Sequence, residues 1–217
     1  MTQRYFLDTE FVEDGSTIMP ISLALVREDG GELYLEFDFD EDKAVAHDFV
    51  RENVLPHLRG QEQYTQDEAA RRISMFMGLG PRDPAESKPD IEIWAYFSAF
   101  DWVLFCQVFG TFMDLPEGCP RYCNDLMQWW TKLGRPDGVK PPHGAKVHDA
   151  LADADWNLQF YKNLERYEQQ QRVPTTVIEG RMPGYLSVEE YDKVLAHLEE
   201  TPGPNAEMIA LFKRHGR

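Results

Sequence analysis

Residues 4–40 constrain the fold more than any other part of this chain. Two apolar runs, RYFLDTEF at 4–11 and IMPISLALVR at 18–27, are followed by a strictly alternating one, ELYLEFDFD at 32–40. The acidic-glycine segments EDG at 13–15 and EDGG at 28–31 separate them. Short β-rich runs bounded by turn residues predict three consecutive strands in an antiparallel meander. In the third run Leu33, Leu35, Phe37 and Phe39 share one face, and Tyr34, Glu36, Asp38 and Asp40 the other. That alternation predicts a half-exposed strand whose acidic outer face is solvated and protects the edge.

The period then changes. Residues 42–58 and 66–79 read as helices, the second opened by a Thr65–Glu68 capping box. After the polar loop PRDPAESKPD at 81–90 comes a strand at 91–97 and a buried helix at 99–113. A very short strand at 121–123, a helix at 124–133, a basic loop at 134–147 and a helix from near Asp149 to about residue 168 complete the pattern. Three antiparallel strands followed by alternating helix and strand predict an α/β fold, a mixed β-sheet flanked by α-helices. Texture changes again after residue 168, so the expected organisation is a core over 1–168 and a linker with a helical C-terminal extension over 169–217. In the extension, Ser187 with Glu190 forms a second capping box. Its apolar stripes (Val188, Tyr191, Val194, Leu195, Leu198; Met208, Ile209, Leu211, Phe212) have the spacing of faces that pack on a partner surface.

No apolar run approaches the roughly 18 residues that would span a bilayer. The N-terminus lacks the apolar stretch of about 7–15 residues that a signal peptide needs. A soluble, cytoplasmic protein without membrane association is the expectation. Cys106, Cys119 and Cys123 are too few, and odd in number, for a disulfide framework. Cys119 and Cys123 form a C-x3-C pair, but no second pair completes a zinc site, so structural thiols are expected. The formal charge of −16 excludes a broad basic surface that grips long duplex by neutralising many phosphates. It leaves room for carboxylates that hold divalent cations, which would themselves supply positive charge to a short substrate footprint.

Asp8 and Glu10 stand two apart on the first strand, so both project to one face, while Tyr5, Leu7, Thr9 and Phe11 face away. Paired anions in an apolar strand repel unless something positive joins them, and Mg²⁺ favours carboxylate oxygens. A solvated acidic pair at a strand end is the plain alternative. Asp101 is one charge in the apolar stretch IEIWAYFSAFDWVLF and fits either a helix cap or a ligand. In VHDALADADWNLQFY, Asp149 can cap the helix, placing His148 before its start and Asp153 one turn in. His148 by itself fits a surface position as well as a base, and Asp149 and Asp155 are assigned to capping or solvent.

Taken jointly, D-x-E on the first strand, a lone Asp after a later strand, and H-x4-D on a late helix resemble the DEDDh family of 3′→5′ exonucleases. The match covers residues 5 to about 165. LDTEFVEDGSTIMPIS, AYFSAFD and VHDALADA look most similar to the RNase AS type, exoribonucleases associated with adenylate-rich RNA. In the related tyrosine variant a Tyr stands four residues before the last Asp; here that position is Asp149, so the histidine variant fits.

The resemblance implies a ribonuclease H-like fold, a single-stranded RNA 3′ end as substrate, and nucleoside 5′-monophosphates as products. It also implies two Mg²⁺ ions, with Mn²⁺ able to substitute, about 3.5–4 Å apart on one phosphate. Asp8 would bridge both, Glu10 and Asp153 would complete one site, Asp101 would support the other, and His148 would act as general base. Imidazole suits that task near neutral pH. Lys132, Arg135, Lys140 and Lys146 in the loop before His148 reverse the local charge and could contact phosphate. Phe11 and Trp102, beside Glu10 and Asp101 in sequence, could stack on bases, and Thr9, between Asp8 and Glu10, is a further candidate substrate contact. An exodeoxyribonuclease of the same family and a catalytically inactive nucleic-acid-binding module are the alternatives. A calcium-binding protein is not, since no D-x-[DN]-x-[DN]-G loop occurs. The resemblance also implies a homodimer.

Overall fold

A computed structural model describes residues 2–81, 90–144 and 147–171, with Lys193 and Ala196. Lys146, the Ser187–Glu190 capping box and the two apolar stripes lie outside the described residues. The chain forms two compact units, Met1–Tyr167 and Glu168–Arg217. Among the described residues no helix is long and apolar enough to cross a membrane.

The described strands all belong to the first unit, whose fold is the mixed, helix-flanked sheet expected of a ribonuclease H-like domain. Strands β1 (Thr2–Glu13), β2 (Ile18–Arg27) and β3 (Glu32–Phe37) form the antiparallel meander, with Asp8 opposite Ala24, and Ser22 opposite both Glu10 and Glu36. Strand β4 (Gln63–Tyr64) extends the sheet beyond β3. Strands β5 (Asp90–Ala95) and β6 (Asn124–Asp125) add in parallel on the other side, giving the order β4-β3-β2-β1-β5-β6.

Alternation along the strands divides the core into two layers. Tyr5, Leu7, Leu23, Leu25, Leu35 and Phe37 pack against helices α3 (Gln66–Met77) and α4 (Ala99–Val108). Phe6, Ala24 and Val26 pack against α5 (Leu126–Lys132) and α6 (Ala150–Gln171). Side chains two apart share a face, so Asp8 and Glu10 project on the α6 side. Asn157 of α6 fixes that docking by donating its side-chain amide to Leu7 O at 2.9 Å.

Several boundaries differ from the sequence expectation, each for a local reason. The expected helix at 42–58 is two short ones, α1 (Glu41–Ala46) and α2 (Asp48–Asn53), then a 3₁₀ turn at Leu55–His57. His47 between them is extended, and its Nδ1 accepts Val50 N–H to start α2. The helix expected over 99–113 stops at Val108, followed by Gly110 at φ 110° and a 3₁₀ turn opened by a Thr111–Asp114 box. The short strand lies at 124–125 and not at 121–123, because Asp125 caps α5 by accepting Gln128 N–H. The Thr65–Glu68 box opens α3 as expected. The three cysteines are free thiols.

The largest correction concerns β3. Glu36 on its outer face is not solvated but 1% exposed, accepting the Tyr34 hydroxyl at 3.0 Å and Arg59 N–H at 2.6 Å, while Asp38 and Asp40 just beyond the strand are exposed as expected. Alternation marked the face, but the residues that cover it arrive from elsewhere in the chain.

Candidate active site

A cleft of about 640 Å³ opens where β1 runs past the C-terminal end of β5. Asp8, Glu10, Asp101, His148 and Asp153 all line it, brought from β1, the first turn of α4 and the start of α6. Asp101 is neither solvent-facing nor a cap. It is the third residue of α4, 7% exposed, and its Oδ1 accepts both Thr9 N–H at 2.9 Å and the Thr9 hydroxyl at 2.7 Å. Thr9 therefore spends both donors on orienting Asp101.

His148 and Asp153 are tied through the backbone. Asp153 Oδ2 accepts His148 N–H at 2.7 Å, while Asp149 Oδ1 accepts Leu151 and Ala152 N–H at 3.1 and 3.3 Å. Asp149 thus caps α6, as the sequence suggested, but is buried, whereas Asp155 is exposed. His148 Nδ1 lies 3.9 Å from Glu10 Oε1, and its ring meets Phe49 edge-on at 4.9 Å.

Electrostatically the site is overloaded with negative charge. Burial, then the charges of Asp101, Glu10 and Asp153, hold the Asp8 carboxyl well above the usual carboxylate range. Burial, then Asp153 and Asp101, push Glu10 up to about 8. Burial raises Asp101 to about 6 against the opposing hydrogen bonds from Thr9, and burial also raises Asp153. Such a cluster is stable in ionised form only beside positive charge. One ligand atom each from Glu10, His148 and Asp153 lie within 4.8 Å of one another. With Asp8 and Asp101 alongside, this oxygen-rich donor set fits a hard divalent cation.

The raised carboxyl values give a signed prediction. An acid whose folded value is raised stabilises the fold below its ordinary range, and that contribution disappears as pH climbs through the folded value. Between pH 6 and 9, as Glu10 passes through its value of about 8, the melting temperature of EDTA-treated protein should fall by about 5 °C or more, the Asp101 share having been lost by about pH 6. Saturating Mg²⁺ should abolish that fall, since binding displaces the protons. Differential scanning fluorimetry across this range checks it; a flat metal-free profile would count against a carboxylate-held cation.

The expected substrate contacts separate on inspection. Phe11, which follows a register shift in the β1–β2 pairing, lines the cleft instead of facing away from it and stacks on Phe100 at 5.5 Å. Trp102 is absent from the cleft lining and packs in the core, stacked on Phe105 at 5.5 Å. Lys140 is likewise absent from the cleft lining: it donates to the Tyr96 hydroxyl at 2.9 Å, with its ammonium also facing the rings of Trp130 and Trp156.

Sequence reasoning missed Phe100, Phe97, Phe49, His47, His143 and Asn157 in the lining. Only Phe100 carried a usable signal. It is the other neighbour of Asp101, and successive helical residues point about 100° apart, so when Trp102 turns inward Phe100 can face out.

Residues 3–164 match a family described as the 3′-5′ exoribonuclease Rv2179c-like domain. Two curated relatives, 3′-5′ exoribonuclease MT2234.1 and 3′-5′ exoribonuclease Rv2179c, come from Mycobacterium tuberculosis strains CDC 1551 and H37Rv. Each is 38% identical over 168 residues, covering 73% of this chain and 91% of the relative.

Proposed function

Because the chain belongs to the Rv2179c-like 3′-5′ exoribonuclease family, we propose that it hydrolyses single-stranded RNA from the 3′ end, releasing nucleoside 5′-monophosphates. One observation carries the mechanistic part: four carboxylates and a histidine, up to 145 residues apart from Asp8 to Asp153, converge on one cleft. Asp8, Glu10, Asp101 and Asp153 would hold two Mg²⁺ ions, or Mn²⁺ in their place. Bound there, the ions supply the positive charge that draws in the phosphodiester and favours deprotonation of the attacking water.

The protein's own groups do the rest. Thr9 keeps one Asp101 oxygen occupied and so aims the other. His148, a general base at the cleft wall, takes the proton of the water as it attacks phosphorus. The bond to the 3′-oxygen of the preceding nucleotide breaks, and the phosphate leaves with the terminal nucleoside. Phe11, Phe100 and Phe97 supply aromatic faces at the cleft, with Phe97 and Phe100 59% and 48% exposed. Such faces suit unpaired bases, and the acidic body suits a footprint of few phosphates.

Phe100→Ala should raise the KM for single-stranded RNA about tenfold, the scale of one lost base stack, with little change in melting temperature. Trp102→Ala should do the reverse, lowering the melting temperature with KM unchanged, because its half-buried ring packs against the core. Michaelis kinetics paired with thermal melts separate the two.

The direct test is a time course on 5′-labelled A-rich RNA, mixed RNA and matched DNA with Mg²⁺, with EDTA and Asp8→Ala controls. A ladder shortening from the 3′ end of RNA, silenced by both controls, supports the reading. Equal or faster shortening of DNA would replace it with an exodeoxyribonuclease, and binding without cleavage with an inactive nucleic-acid-binding module.

A further inference from the structure

A row of buried polar residues crosses the sheet beside the candidate site, and the exposed Arg59 links its far end to the segment that carries His148. Glu10, Ser22 and Glu36 form one row across β1, β2 and β3, on the face that α6 covers. Adjacent strands lie roughly 4.8 Å apart, so Glu36 sits about 10 Å from Glu10. Glu36 anchors the backbone N–H of Arg59 at 2.6 Å. The Arg59 guanidinium then lies over the Tyr34 ring at 4.3 Å and reaches Asp149 Oδ1 at 3.5 Å. Asp149 is 6% exposed, and this same oxygen caps α6.

His148 directly precedes that cap with φ 70°, the left-handed region. A non-glycine residue there is strained and persists only where its surroundings over-determine it. Two contacts do so: its N–H to Asp153 on one side and the Asp149 cap on the other. Asp149 also adds to the negative charge around Asp8, Glu10 and Asp153, so its counter-charge matters to the whole cleft.

We propose that Arg59 is a positioning residue of this site: clamped by Tyr34 and Glu36, it holds the Asp149 cap and thereby the His148 backbone that aims the imidazole. The activity readout rests on the nuclease reading; the structural readout does not. Removing Arg59 leaves a buried carboxylate without its counter-charge, which costs more than a neutral amide in the same place. Asparagine still caps a helix, so Asp149→Asn removes the charge and keeps the cap. The clamp therefore predicts rescue.

The experiment compares Arg59→Met, Arg59→Lys, Asp149→Asn and the Arg59→Met/Asp149→Asn double variant. It measures kcat and KM on single-stranded RNA and the hydrogen-exchange protection of the His148 amide by NMR. Arg59→Met is expected to lower kcat about tenfold with KM within about twofold, and to lower His148 amide protection about tenfold. Arg59→Lys should recover most of both. In the Asp149→Asn background, Arg59→Met should cost less than about threefold in either readout. Equal losses in both backgrounds, or a lower melting temperature with kcat and His148 protection unchanged, would overturn the proposal. If wild-type protein cleaves no strand, the nuclease reading fails, while the His148 protection of the four variants still decides the positioning claim.

Discussion

Asp8→Ala should abolish turnover, lowering kcat by about 10³-fold or more, and should remove cation binding with it. Asp8 occupies the middle of β1, opposite Ala24, and is the group on which the charges of Asp101, Glu10 and Asp153 converge. A cation shared by these carboxylates loses its central partner in the variant. Loss of several kcal/mol of charge stabilisation corresponds to three or more decades in rate. The same substitution should stabilise the metal-free fold, since it deletes a carboxylate held far above its usual range by burial and like charges. Single-turnover cleavage of labelled RNA, Mn²⁺ calorimetry and a metal-free melt check the three effects. Activity within tenfold of wild type, or an undiminished Mn²⁺ isotherm, would remove Asp8 from the centre of the site.

His148→Ala should lower kcat by about 10²–10⁴-fold while leaving KM and cation binding close to wild type, the range expected when a general base is lost. The geometry makes this a sharp test, because His148 could serve in two ways. It presents its ring to the cleft, yet one ring nitrogen lies within 4.8 Å of ligand atoms on Glu10 and Asp153. A ligand role would weaken the Mn²⁺ isotherm and kcat together; a base role would move kcat alone. Preference of Mg²⁺ for oxygen over nitrogen favours the base. An undiminished rate in the variant would sink the assignment altogether.

How far each feature was legible from sequence depended on how local its cause is. The Thr65–Glu68 box, the β2 boundaries and the Asp149 cap are set by neighbours within a few residues, and all stand as read. The five site residues came from a joint pattern whose order along the chain is itself characteristic. The Glu10/Phe11 register shift is a pairing event between two strands, and no period in β1 alone announces it. Sequence reading names Trp102 and passes over Phe100, because adjacency in sequence says nothing about which side of α4 meets the core. Glu36 looked solvated because alternation specifies two faces without saying what covers each.

Sequence by itself determined the antiparallel start of the sheet, the element order apart from β4 and the split of the helix at 42–58, and the choice of the carboxylates and histidine, since backbone propensity, caps and side-chain chemistry travel with the residue. Only the tertiary structure decided which side chains share the cleft: Phe11 and Phe100 inside it, Trp102 in the core, Arg59 clamped against Asp149. Arg59 meets Asp149 across 90 residues of chain and Phe11 meets Phe100 across 89, and burial by a distant element leaves no mark in the local pattern.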